Sequence, residues 1–240
     1  MNMVSDLLFL FGFVALGWAT MTAVQRLPVF PLRQVMVATP LDQVAPGQID
    51  AVVQGTVSGN FFTTNLDEAR VAFEKLPWVR RAEVRRRWPD GIEVAIEEHV
   101  AVARWKQGEA ETRLVNKQGE VFVAGGAPVV ASLPVFAGPE GMAAEILARH
   151  REFQAALAPL GREPHAVVLS SREAWELRLD DGLVLVLGRD QPKAPVMDRL
   201  ARFTASYQEA RERTRVRPGL IDMRYPNGFA LRPMRAEKTT

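Results

Sequence analysis

The reading turns on residues 76–99, LPWVRRAEVRRRWPDGIEVAIEEH. Pro89, Asp90 and Gly91 place a fixed φ, a short side-chain acceptor and a free φ in succession, which predicts a tight turn between two strands. After the turn Ile92, Val94 and Ile96 alternate with Glu93 and Glu97. Before it Ala82, Val84 and Trp88 share one face, and Arg81, Glu83, Arg85 and Arg87 share the other. The pattern is that of a half-buried antiparallel hairpin. Arg86 falls on the apolar side, so a strand end or a bulge is expected there.

A hairpin alone buries too little surface to stand in water. Cover is encoded just upstream, where Asn65 can cap a helix, with Glu68 placed to reach back to the cap, and Leu66, Ala69, Phe73 and Leu76 form one apolar stripe before Pro77. Further upstream, residues 32–38 read as a strand with Val35 and Val37 on one face, and residues 48–53 as a short helix with Ile49, Val52 and Val53 at helical spacing. The first folded unit is thus expected to be β-α-α-β-β, a three-stranded sheet with two helices on one face.

Beyond His99 strands predominate. Residues 100–105 and 113–115 read as strands, 116–122 as a hairpin, and 133–136 as a short apolar strand. Met142, Ile146, His150, Phe153 and Leu157 mark an amphipathic helix. WELRLDDGLVLVLG (175–188) is a hairpin about Asp181-Gly182, and its unbroken apolar second arm predicts a strand covered on both faces by the two helices. A second helix over 194–212 carries Val196, Leu200, Phe203 and Tyr207. The last hairpin, 219–231, places Ile221, Met223 and Tyr225 on one face and turns at Asn227-Gly228.

The N-terminus is of another kind. Residues 7–24 hold no charged side chain, and 18 helical residues at about 1.5 Å each reach roughly 27 Å, close to the hydrocarbon thickness of a bilayer. An uncleaved membrane span is expected; the competing signal peptide has a shorter apolar core and a small-residue cleavage site. The flanking charges, Asp6 before the span and Arg26 and Arg33 after it, do not by themselves favour a cytoplasmic N-terminus.

Composition is that of a globular protein, 48% apolar and 24% charged, and with no cysteine there is neither a disulfide framework nor a thiolate metal site. No catalytic motif is present, and His99, His150 and His165 lack metal-ligand spacing. Gly125-Gly126 lacks the following Lys and Ser/Thr of a phosphate loop. No enzyme, cofactor or metal is therefore expected. Two arginine groups, residues 80–87 and Arg211, Arg213, Arg215 and Arg217, raise nucleic-acid binding. A net charge of only +2, glutamates interleaved with the first group and the lack of a stacking platform argue for a solvated face with cross-strand ion pairs. Contact with anionic lipid or a protein partner is the alternative for these arginines.

Several segments in order, LPWV (76–79), RRWP (86–89), EEH (97–99), VARW (102–105), LVNKQGEVF (114–122), LPVFAGPEG (133–141) and DMRY (222–225), resemble the bacterial FtsQ/DivIB cell-division family and its POTRA module. The resemblance covers nearly all of the chain after residue 30. It implies an α+β architecture: a cytoplasmic stretch 1–6, a transmembrane helix 7–25, a POTRA domain 30–99, a mostly antiparallel β-domain 100–234 with two covering helices, and a flexible tail 235–240. It also implies an inner-membrane scaffold with its bulk in the periplasm, recruiting FtsB- and FtsL-like single-pass proteins by strand addition and controlling septal peptidoglycan synthesis. Other division proteins would meet the POTRA domain and the span. By the same resemblance, partner contacts fall on Arg189, Arg224, Tyr225, Asn227, Gly228 and Phe229. The chain departs at Pro226 and Asn227 from one member of that family, which has Asp and Ser there. A POTRA-bearing transport factor or a cell-wall-binding enzyme is the alternative; the first should carry a C-terminal barrel, for which there is no room.

Overall fold

The computed structural model describes residues 3–26, 31–57, 59–106, 113–124, 132–214, 218–225 and 228–233. Gly125, Gly126, Arg215, Arg217, Pro226, Asn227 and the tail from Arg235 lie outside them. The chain divides into two compact units, Met1–His99 and Val100–Thr240.

Helix α1, Met3–Arg26, opens the first unit. Its 18-residue window Asp6–Ala23 is long and apolar enough to cross a membrane, and none of that window is buried in protein. The folded part of the unit is β1 (Gln34–Val37), α2 (Pro46–Thr56), α3 (Leu66–Glu74), β2 (Val79–Arg87) and β3 (Gly91–Glu98). The sheet order is β1-β3-β2, with β1 parallel to β3 and β2 antiparallel to it. Ala82, Ile92, Val94 and Ile96 from the hairpin pack under Phe73 of α3 and Ile49 of α2, all with 6% exposure or less. Full burial of a side chain such as Phe73 or Ile92 contributes about 1.5–3 kcal/mol.

Side-chain oxygens hold the helix starts. Asn65 Oδ1 accepts from the backbone N–H groups of Asp67 at 3.1 Å and Glu68 at 3.2 Å, capping α3. The Glu98 carboxylate accepts from the N–H groups of Asp42, Gln43 and Val44, fixing the approach to α2.

One residue of the hairpin, Trp88, differs from the sequence reading. Strand β2 ends at Arg87, so alternation no longer governs Trp88, whose side chain is 80% exposed rather than on the core face. Arg86 stands at the expected strand end, one residue before β2 stops, and pairs with Ile92; the register shift lies elsewhere, between Val79 and Arg81. From the edge of the core face Arg86 reaches over the segment before α3, donating to the carbonyl oxygens of Phe61 at 2.7 Å, Thr64 at 2.9 Å and Phe62 at 3.3 Å. The opposite face is laced by ion pairs, Arg85 with Glu93 at 2.6 Å and Arg80 with Glu97 at 2.9 Å.

The second unit contains one nine-stranded sheet among its described residues. Its strands are β4 (Ala101–Trp105), β5 (Arg113–Asn116), β6 (Val121–Val123), β7 (Val135–Ala137), β8 (Pro164–Leu169), β9 (Ala174–Leu179), β10 (Val184–Arg189), β11 (Pro218–Asp222) and β12 (Ala230–Pro233). The order across the sheet is β12-β11-β10-β9-β8-β7-β4-β5-β6. Antiparallel pairs predominate, and β4–β7, β7–β8 and β10–β11 are parallel. Strand β8 is missing from the sequence reading. It follows the helix break directly and begins at a proline, which masks its alternation of buried Val167 and Leu169 with exposed Val168.

Helices α4 (Ala143–Leu157) and α5 (Val196–Thr214) each connect two parallel strands, β7 to β8 and β10 to β11. These four strands share one direction, and both crossovers step the same way across the sheet. Connections of one hand must then lie on one face. Accordingly Ile146, Phe153 and Leu157 of α4 and Leu200 and Phe203 of α5 share a core with Leu177, Leu179, Leu185 and Leu187. Two-sided cover of β10 is therefore not found, and Val184 and Val186 on its other face are only half-buried.

Arg86→Ala leaves three carbonyl groups without a charged donor and costs on the order of 1.5–3 kcal/mol. Faster amide hydrogen exchange in residues 60–65 is the expected readout, whereas Arg85→Ala, which breaks an exposed pair, leaves that exchange unchanged.

Candidate functional site

Parallel pairing of β10 and β11, with Val184 beside Leu220 and Val186 beside Asp222, brings their C-terminal ends to one side of the sheet. The pairing of β9 with β10 shifts between Val186 and Gly188, and Gly188 has φ of 76°. That left-handed conformation suits glycine, and a Cβ there would stand 2.9 Å from Arg224 Cγ. Arg189 and Arg224, distant in sequence, are thereby neighbours.

Arg224 is occupied within the chain. Its Nε donates to Asp222 Oδ1 at 2.9 Å and its Nη2 to Oδ2 at 2.6 Å, a two-pronged pair with a carboxylate that is 2% exposed. The Arg224 guanidinium holds the Asp222 carboxyl below the usual carboxylate range, through its hydrogen bonds first, against the opposing effect of burial. Behind the pair, buried Arg199 of α5 donates through Nη2 to the carbonyl oxygen of Arg189. Desolvation lowers the pKa of Arg199. Asp190 accepts from Val196 N at 3.0 Å and so caps α5.

Tyr225 follows the ion pair with 53% of its surface exposed. Further along the chain Phe229 packs edge-on against Phe203 at 5.4 Å, fastening the start of β12 to α5. A hollow of about 310 Å³ lies between them, lined in part by Arg202, Ser206, Met223 and Phe229. Strand β12 is antiparallel to β11 and last in the sheet order, with β11 its one sheet neighbour among the described residues.

Of the residues expected from sequence, Arg189, Arg224, Tyr225, Gly228 and Phe229 gather around this end of the sheet, and Asn227 lies outside the described residues. Phe229 and Arg224 serve the fold as well as the surface. Asp222, Gly188 and Arg199 join the site beyond those expected residues; an Asp two residues before an Arg, and a Gly closing an apolar strand, are the signals for the first two. His150 is structural: it lies 3.3 Å from the Pro164 carbonyl oxygen and 5.2 Å from the Phe136 ring, and burial lowers its pKa. Among the described residues no group of His, Asp and Glu is arranged to hold a metal.

Acidification tests the pair. Asp222 binds its proton more weakly when folded, so its contribution is complete above the ordinary carboxylate pKa of about 3.9 and is lost as pH falls through the depressed value. Arg224→Ala is expected to raise the Asp222 pKa and to lower the denaturation midpoint at neutral pH, with Asp222→Asn in the same chain restoring part of the loss. Gly188→Ala is expected to cost about 1 kcal/mol or more from the left-handed backbone alone, with the displaced Arg224 adding to it. Carbon-detected NMR titration and denaturant unfolding read these outcomes.

Comparison with known proteins identifies the family. Residues 30–99 match the family model "POTRA domain, FtsQ-type", and residues 103–224 match "Cell division protein FtsQ/DivIB, C-terminal". The cell division protein FtsQ of Burkholderia pseudomallei (strain K96243) is 40% identical over 209 residues, covering 87% of this chain and 82% of the relative. That of Nitrosospira multiformis is 37% identical over 240 residues, covering 98% and 97%. That of Neisseria gonorrhoeae is 34% identical over 203 residues, covering 84% and 79%. The chain belongs to the FtsQ/DivIB family, as a membrane-anchored scaffold of cell division.

Proposed function

We propose that the protein works as a non-catalytic scaffold whose strand β12 accepts a segment of an FtsB-like single-pass division protein, together with its FtsL-like companion, as an added strand. The observation that carries this reading is the position of β12 at the end of the sheet, where alternate N–H and C=O groups face away from β11. Arg189, Arg224 and Tyr225 then meet side chains of the incoming segment, and the hollow beside Phe229 takes an apolar one.

Magnitudes define what such a contact can do. A four-residue edge offers about two to four hydrogen bonds, each worth about 1 kcal/mol net. Association costs about 4–15 kcal/mol in lost freedom, so backbone pairing alone does not hold a partner. Side-chain contacts supply part of the difference. Confinement of both proteins to one membrane supplies more, by raising the effective concentration.

The orientation that serves this role has the N-terminus in the cytoplasm and both folded units in the periplasm, where septal peptidoglycan is made. Arg26 and Arg33 after the span do not oppose it, because long domains translocate largely regardless of such charges. The POTRA unit and α1 are then free to meet other division proteins.

A photo-crosslinker at Arg232 is expected to capture a small single-pass division protein from growing cells. Tyr225→Ala, at an exposed position, lowers that yield severalfold while the circular dichroism spectrum stays unchanged. Equal yields from the parent and Tyr225→Ala, or crosslinks only to soluble proteins, reject the docking mode.

A further inference from the structure

We infer that one end of the POTRA unit, carrying Trp88, Arg85, Arg86, Arg87 and Arg33, rests on an anionic lipid surface beside the point where the chain leaves the bilayer. Three contacts bring these residues to the same end. Pro31 bridges to Asn60, the Arg33 N–H donates to the Asp90 carbonyl oxygen at 2.9 Å, and Arg86 holds the carbonyl oxygens of Phe61, Phe62 and Thr64. The chain thus enters the fold beside the hairpin turn that bears Trp88. Trp88 is 80% exposed and Phe62 is 45% exposed. Large aromatics rimmed by arginines match the headgroup region, where an indole places its ring at the apolar boundary and its N–H among polar groups.

The covalent link makes this end membrane-proximal. Helix α1 closes at Arg26 and the bridge to Asn60 is made by Pro31, so five residue steps at no more than about 3.6 Å each limit the separation to roughly 18 Å. Charge is distributed to suit. At this end the arginines face three carboxylates, Asp90, Glu93 and Glu83, of which Glu93 is already paired with Arg85 at 2.6 Å and Glu83 with Arg81 at 3.4 Å. Arg87 donates to Met36 Sδ at 2.6 Å, a neutral partner that leaves its charge in place. The glutamates Glu97 and Glu98 stand at the other end of β3, roughly 20 Å away at about 3.3 Å per residue and beyond a Debye length of about 8 Å, so they do not oppose the approach.

One indole and a few arginines would not bring a soluble protein to a membrane. For a tethered unit they need only set its tilt, because the effective concentration of lipid is already high. The inference rests on α1 spanning a bilayer, holds on either side of it, and is independent of strand addition at β12.

The full-length chain is reconstituted in phosphatidylcholine–phosphatidylglycerol vesicles in which part of the lipid carries brominated acyl chains, and its emission is compared with that of Trp88→Ala. The difference between the two spectra isolates Trp88 from the other tryptophans. It is expected to be blue-shifted and quenched by the brominated lipid, with quenching reduced by Arg87→Glu and in phosphatidylcholine alone. A red-shifted difference spectrum that brominated lipid does not quench overturns the inference, as does equal quenching without phosphatidylglycerol. Weaker capture of another division protein by Trp88→Ala, with Trp88 unquenched, assigns the surface to a protein partner and equally overturns it.

Discussion

An open sheet, unlike a closed barrel, must end in an edge strand. In the second unit both α4 and α5 pack on the leucine face, and the strands run on to β12 with nothing folded back over it among the described residues. The outward N–H and C=O groups of that edge are satisfied by water or by another chain. Three local features guard it. It is four residues long, it contains Pro233, which has no N–H to offer, and it carries exposed Arg232. These features discourage indiscriminate pairing while leaving room for a partner whose side chains add to the few available hydrogen bonds.

What aims this edge is a chain of steric and electrostatic dependencies. The register shift in β10 requires a left-handed residue, and only glycine at 188 allows Arg224 to lie against the strand. Lying there, Arg224 neutralises the buried carboxylate of Asp222 at the end of β11. Phe229 then meets Phe203, and β12 begins. The arginine at the proposed contact surface is thus also a structural residue. Loss of binding on its removal has two causes, whereas exposed Tyr225 reports on contact more directly.

The elements whose periodicity runs unbroken were legible in the sequence. The pairing of the two arms across Pro89-Asp90-Gly91, the Asn65 cap of α3 and the stripe Val196, Leu200, Phe203 and Tyr207 form as read. Alternation fails where a strand stops, which is why Trp88 is exposed; Arg86 stands at the expected strand end, where its side chain reaches carbonyl groups. Strand β8 was hidden behind a helix break and a proline. The neighbourhood of Arg189 and Arg224 was not legible from local pattern, because it depends on the parallel pairing of β10 with β11 through α5. A strand, a helix and a strand in succession do signal such a crossover, and reading them that way also explains why β10 is covered on one face only.

Both contacts argued for this chain are weak when taken alone, and that is suited to a scaffold. A four-residue edge supplies a few hydrogen bonds and a single indole supplies one interfacial anchor. An apolar α1 changes their setting, since partners held in the same bilayer search a thin layer rather than a volume. Affinity that arises from confinement is lost as soon as one anchor leaves. Affinity built from a large buried interface persists until that interface dissociates. An assembly that forms at one place and comes apart after each division is better served by the first kind, and on the proposed reading short edges, exposed aromatics and arginines already paired within the chain would serve that end.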